Sequence, residues 1–210
     1  MDTIKSRECY NAFLAHKLIE EFEKRNIEGF YCKSKEDALE KVLKMIPKDS
    51  MVSWGGSVTL HEIGLKGALK DGGYNFLDPA EPQGGKEKEK AARQALSADY
   101  FLMSSNSIAV SGELVNIDGI GNRVAALCFG PKTVIIVAGL NKVEANLDAA
   151  ILRVKDYAAK MAMLAYKQDY SSYEELSKAA EGGCSQLVIT QKSMFKGRIK
   201  VILVGESLGI

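Results

Sequence analysis

Met51-Val-Ser-Trp-Gly-Gly-Ser-Val-Thr-Leu-His-Glu62 decides how the chain is read. A short apolar run, Met51 to Trp54, reads as a buried strand. Gly55-Gly56-Ser57 stops it, and a helical pattern starts near Val58. Strand, glycine turn and helix make one βα unit, and open α/β sheets gather ligands at such turns, beyond the carboxyl ends of their strands. Paired glycines let a backbone approach a ligand or take φ > 0. The helix start behind them presents free N–H groups and partial positive charge, which suit an anion. A tight strand-to-helix turn without a ligand reads equally well, because a lone glycine pair is a weak signal.

Outward from this unit, helical and strand patterns alternate. Upstream, residues 3–25 carry Tyr10, Phe13, Leu14, Leu18 and Phe22 at helical spacing. Phe30–Cys32 is a short strand. Ser34-x-x-Asp37 resembles a capping box ahead of a helix ended by Pro47. Downstream, the central helix is expected over 58–70, followed by a strand over 74–77 and a turn-rich loop over 78–85. Residues 86–97 mix Lys and Glu as an exposed helix does. A strand over 99–104 precedes a β-hairpin, 108–110 and 114–117 around Ser111-Gly112, and then a short helix near 121–127. Thr133-Val-Ile-Ile-Val137 is the strongest strand, and its unbroken β-branched run suits a parallel strand buried on both faces. A long helix is expected over 144–166. Ser171 or Ser172 caps a shorter one, and strands over 187–190 and 199–204 close the chain. The expected fold is α/β: a mostly parallel, Rossmann-like sheet with helices on both faces and one antiparallel hairpin excursion. It forms one domain, 1–210, with a helical segment, 1–46, packed on a core over 50–210.

Composition narrows function mainly by exclusion. Lys+Arg (28) and Asp+Glu (27) nearly cancel, so no global field draws the chain to nucleic acid or membrane. No apolar run approaches the roughly 18 residues of a membrane span. The charged start, Met1-Asp-Thr-Ile-Lys-Ser-Arg-Glu8, lacks the apolar core of a signal peptide, so the expected location is the cytoplasm. Cys9, Cys32, Cys128 and Cys184 are far apart and form no C-x-x-C pair; they read as small buried hydrophobes, and no metal site is expected. With only His16 and His61, a His-rich metal site is excluded.

Two polar clusters stand out. The first is Gly55, Gly56, Ser57, Thr59 and Glu62; the second is Ser111-Gly-Glu-Leu-Val-Asn-Ile-Asp-Gly-Ile-Gly-Asn-Arg123. Both fall at strand ends, and if they converge they supply a carboxylate, an arginine, hydroxyls and backbone N–H groups for a phosphate or carboxylate ligand. Each residue has a plainer reading. Thr59-x-x-Glu62 is a formal capping box. Glu113 is an acid, base or nucleophile, or a solvated hairpin residue. Arg123 clamps an anion or pairs with Glu113. Asn116 and Asn122 are at home in turns. Lys142 reaches a ligand or stays in solvent. Ser57 lacks the partners of a serine nucleophile.

At these clusters the sequence resembles the LUD-domain, or lactate-utilization, family. Trp54-Gly-Gly-Ser-Val-Thr-Leu-His-Glu-Ile-Gly64 is similar to its glycine motif, Gly112–Arg123 to its second motif and Pro131–Val143 to its third, and Gly197–Gly209 fits its ending. The resemblance implies a fold like the NagB/RpiA/CoA-transferase superfamily. It also implies a pocket of Gly55, Gly56, Ser57 and Thr59 with Glu113, Asn122 and Arg123, and a role in an organic-acid (lactate) oxidation system. Glu113 and Glu62 are then the candidate catalytic residues, and Asn116 and Lys142 join the ligand-binding set. Relatives with several cysteines before the last strands differ from this chain, which keeps only Cys184 over 182–196, so no cofactor is expected in it. Iron–sulfur or flavin groups would sit on partner proteins, and a homo-oligomer is left open. Alternative readings are a phosphosugar isomerase, a CoA-transferase-like enzyme, or a non-catalytic scaffold of a redox complex.

Overall fold

Thr133–Gly139 (β7) lies in the interior of the main sheet. The computed structural model describes residues 3–210; Met1 and Asp2, the start of the expected domain and of the charged segment, lie outside the described residues. The main sheet pairs β1 (Glu28–Cys32), β10 (Ile199–Val204), β7, β4 (Tyr100–Met103), β2 (Met51–Trp54) and β3 (Asn75–Leu77), in that spatial order. Every pairing is parallel. Residues 28–32 therefore build an edge of the sheet that the 1–46 segment was expected only to pack against. From β2 the chain moves outward to β3, whereas from β4 it moves the other way to β7 and β10. The crevice between β2 and β4 is thus the topological switch point.

Alternation along the strands divides the core in two. Val134, Ile136, Ala138, Val201 and Leu203 face one layer with Ala15, Leu18 and Phe22 of α1 (Thr3–Lys24). Ile135, Val137, Ile202 and Val204 face the other. There they meet α2 (Lys35–Met45), α3 (Val58–Glu62) and α4 (Leu65–Asp71) through Val42, Leu60, Leu65 and Leu69. The Ser34–Asp37 capping box forms as expected.

A second sheet holds β8 (Val143–Glu144), β5 (Ser107–Ala109), β6 (Leu114–Asp118) and β9 (Gln186–Thr190). The expected hairpin is its β5–β6 pair. β9, read simply as one of the closing strands, pairs antiparallel with β6 instead. The sheet packs on α7 (Leu147–Arg153) through Ala150, and on Val154 of the π-helical segment Val154–Ala158. α8 (Ala159–Tyr166) continues that helix, so the expected 144–166 helix starts at Leu147 and contains a π-bulge. α5 (Gly85–Ala95), α6 (Asn122–Cys128) and α9 (Tyr173–Gly183) complete the α-helices of the described residues. The expected helix over 58–70 is broken: Gly64 takes φ 72°, and α3 and α4 are separate. The cysteines differ from the reading as buried hydrophobes, since Cys9 and Cys128 are exposed.

The β2 end is fastened by a buried carboxylate. Asp78 Oδ1 accepts from Trp54 Nε1 at 2.9 Å and from Ala80 N at 3.0 Å, and Oδ2 pairs with Lys66 Nζ at 2.6 Å. Burial opposes ionisation of Asp78, but the bonds from Lys66 and Trp54 outweigh it and hold the carboxyl below its ordinary range. Asp78→Ala should cost about 2–3 kcal/mol in urea denaturation, because it leaves the Trp54 N–H and the Lys66 ammonium without their acceptor. The contribution should be intact above the unfolded carboxylate value and be lost as pH falls through the lower folded value.

Candidate functional site

The turn after β2 stays attached to β4: Gly55 N donates to Leu102 O at 2.9 Å. Arg123 lies across Gly55, where a Cβ would fall 2.4 Å from Arg123 Cγ and 2.7 Å from Cδ. Gly55 is therefore needed for close approach of the two polar clusters. Gly56 is exposed, with nothing within 4 Å of an added Cβ.

Ser57 caps α3, its Oγ accepting from Leu60 N at 3.4 Å. Thr59 is inside α3 and buried, so the expected Thr59–Glu62 capping box does not form. α3 has five residues, too few to support the macrodipole argument for an anion at its start. The positive charge at the crevice comes instead from a side chain.

That side chain is Lys142. β7 runs into a 3₁₀ turn, Leu140–Lys142, which turns the lysine back over the strand ends. Lys142 is 3% exposed. Its Nζ donates to Thr59 Oγ1 at 2.9 Å and to Ser104 Oγ at 3.0 Å. Among the described residues no carboxylate forms an ion pair with it. Burial is the main cause that lowers its pKa to about 7; Arg153 and Arg123 push the same way, and Glu62 opposes them.

Polar groups continue into the second sheet. Asn106 and Asn116 bridge β6 and the end of β4: Asn106 N donates to Asn116 Oδ1 at 3.2 Å, and Ile117 N to Asn106 Oδ1 at 3.1 Å. Arg153 Nη1 donates to Asn106 O at 2.5 Å, and its Nε is 3.5 Å from Glu144. Asn116 is fully buried, and its Nδ2 has no hydrogen-bond partner among the described residues. Arg123 Nη2 donates to Ile117 O at 2.5 Å, and its Nε is 3.7 Å from Asp118. Asp118 also accepts from the backbone N–H groups of Arg123 and Val124, which fixes the start of α6 beside Asn122.

The structure thus brings Gly55, Thr59, Arg123 and Lys142 together, with Glu62 at the rim. Glu113 is elsewhere. It precedes β6, whereas Arg123 follows it, and five strand residues separate the ends by about 17 Å. Its carboxylate pairs with Arg25 Nη2 at 2.5 Å and accepts from Ser111 Oγ at 2.5 Å. Arg25 also donates to the carbonyls of Ser111 and Gln191, so Glu113 fastens the hairpin to the end of α1. Sequence reasoning missed Ser104, Asn106 and Arg153. Ser104-Ser-Asn-Ser107 was a visible polar run after a buried strand, but Arg153 was hidden within an apolar helical stripe.

A parallel α/β sheet with a buried lysine at its switch point, in no ion pair among the described residues, defines an open-sheet protein with a candidate anion site. The LUD-domain profile matches residues 15–204, and the chain belongs to that family. A DUF162 family protein from Deinococcus radiodurans has a similar fold, with a TM-score of 0.56 at 15% identity over 92% of this chain and 98% of that one. The structure of eIF2B delta from Chaetomium thermophilum overlaps 67% of this chain and 55% of its own, at 20% identity and a TM-score of 0.33. Comparison with curated proteins gives no match.

Gly55→Ala should displace Arg123 and cost about 1–3 kcal/mol in urea denaturation, whereas Gly56→Ala should stay within about 0.5 kcal/mol. Lys142→Met should raise Tm by about 4 °C or more at pH 6, because it removes an uncompensated buried charge. Since the folded value lies below the unfolded one, wild-type stability recovers from about pH 7 up to the ordinary lysine value, so the gain should shrink by pH 9.

Proposed function

We propose that this LUD-domain protein is a subunit or accessory of a lactate-type organic-acid oxidation system, and that its site binds a small carboxylate, a 2-hydroxy or 2-oxo acid. The observation that carries this reading is Lys142: an amine buried at the switch point whose hydrogen-bond partners are two hydroxyls. A ligand carboxylate would supply the negative charge it lacks. Thr59 and Ser104 orient the amine, and Arg123 and Arg153 add positive potential nearby. Glu62 supplies a carboxylate acceptor at the rim, suited to a ligand hydroxyl and to taking its proton.

In this reading lactate oxidation releases two electrons and two protons, and iron–sulfur or flavin groups on partner polypeptides would have to accept the electrons while the protons go to solvent. Glu113 has a structural part, because its carboxylate is committed to Arg25 and Ser111.

Calorimetric titration with lactate and with pyruvate tests the reading. The bound carboxylate favours charged Lys142, so binding should be nearly constant below pH 7, take up a proton above it, and weaken by up to about tenfold per pH unit. Lys142→Met should weaken binding by about tenfold or more, while Glu113→Gln should leave it unchanged. Wild-type binding that ignores both pH and Lys142→Met would sink the proposal.

A further inference from the structure

The segment after β10, Gly205–Ile210, is strapped across the same strand ends. Asn11 Nδ2 donates to Gly205 O at 2.8 Å, and Lys35 N donates to Glu206 Oε1 at 3.4 Å. Leu208 is 4% exposed in the core, and its backbone is clamped by Asn141: Leu208 N donates to Asn141 Oδ1 at 3.0 Å, and Asn141 Nδ2 to Leu208 O at 3.4 Å. Beyond this anchor the strap enters the Lys142 site. Gly209 N donates to Glu62 Oε2 at 2.6 Å. A Cβ on Gly209 would lie 2.1 Å from Thr59 Oγ1 and 3.0 Å from Lys142 Nζ. Within one residue, the strap therefore reaches the acceptor, the hydroxyl and the amine that would receive a ligand.

We infer that Gly209–Ile210 is an internal occupant of the Lys142 site, and that a small carboxylate binds by displacing it while Leu208 stays anchored. The inference rests on the reading that Lys142 receives an anion. Docking is lopsided. The strap gives Glu62 its donor, but the hydrogen bonds of Lys142 still go only to hydroxyls. A carboxylate brings the charge-assisted bond that the strap does not supply. There is also space beside the strap. Lys35 and Glu62, which hold Glu206 and Gly209, line a groove of about 370 Å³ between α2 and the α3–α4 turn. The strap then sets the apparent affinity, because a ligand meets a free site only in the undocked fraction. Glycine makes the device possible: position 209 has φ 63° and no room for a side chain.

The experiment combines amide hydrogen exchange over residues 206–210 with calorimetric titration of lactate and pyruvate, on wild type and Gly209→Ala. Saturating wild type with either probe should speed exchange at the Gly209 amide. Gly209→Ala should show fast exchange without a probe and bind at least about fivefold more tightly. Asn141→Ala, which removes both Leu208 clamps, should shift exchange and affinity in the same direction if Gly209→Ala does not fold. If a probe binds wild type while the Gly209 amide keeps its protection and the strap variants bind no more tightly, the strap is no competitor, although the anion reading stands. If neither probe binds wild type or either variant, the anion reading fails and the strap proposal fails with it.

Discussion

β7 is enclosed on both edges by β10 and β4 and on both faces by the two halves of the core. That enclosure requires an unbroken apolar run, and Val134 to Ala138 are all fully buried. A strand held on four sides also delivers the next turn to one place, and here that turn carries Asn141 and Lys142. Asn141 clamps the strap, and Lys142 reaches back to Thr59 and Ser104. The site is organised from β7, with the glycine turn after β2 forming its wall.

Two buried charges near the carboxyl ends of this sheet make an instructive contrast. Asp78 has an ammonium, an indole N–H and a backbone N–H, so its charge is compensated and it holds the β2 end in place. Lys142 has hydroxyls but, among the described residues, no ion-pair partner; two arginines act on it from nearby, and only Glu62 offsets them. Folding gains from the first arrangement and is burdened by the second, since taking an unpaired ammonium out of water is unfavourable. A buried charge without a counter-charge at the switch point marks that position as the candidate site. The same test demotes Glu113, whose carboxylate is satisfied by Arg25 and Ser111 in a structural tie.

Most of the fold was legible because its strongest signals are local. The β-branched run of β7, the α1 helix, the Ser34–Asp37 box and the β5–β6 hairpin all arise from spacing and side-chain type, although Tyr10 and Phe13 of the expected α1 stripe are exposed while Leu18 and Phe22 are buried. What could not be read depends on tertiary partners. Gly64 breaks a periodic stripe that has no proline to mark the break. The partner of β9 is β6, with Leu114 paired to Thr190 and Asp118 to Gln186, and periodicity does not encode partner choice. Lys142 resembled any solvated lysine because its burial by Thr59, Ser104 and the strap is assembled from three segments distant from it in sequence. Arg153 sat in an apolar helix and gave no local sign.

The glycine pair shows how one motif divides its tasks. Gly55 serves packing: without a side chain it lets the Arg123 stem cross the turn, bringing the α6 segment to the switch point. Gly56 makes no such contact and is open to solvent. A cradle built from both glycines would need two close backbone approaches, and the structure uses one. Charge recognition then cannot come from the glycine turn alone, nor from the single helical turn behind it. In the proposed reading it falls to a lysine 83 residues beyond Thr59, and the turn's part is to supply Thr59 as a hydroxyl that accepts from that lysine.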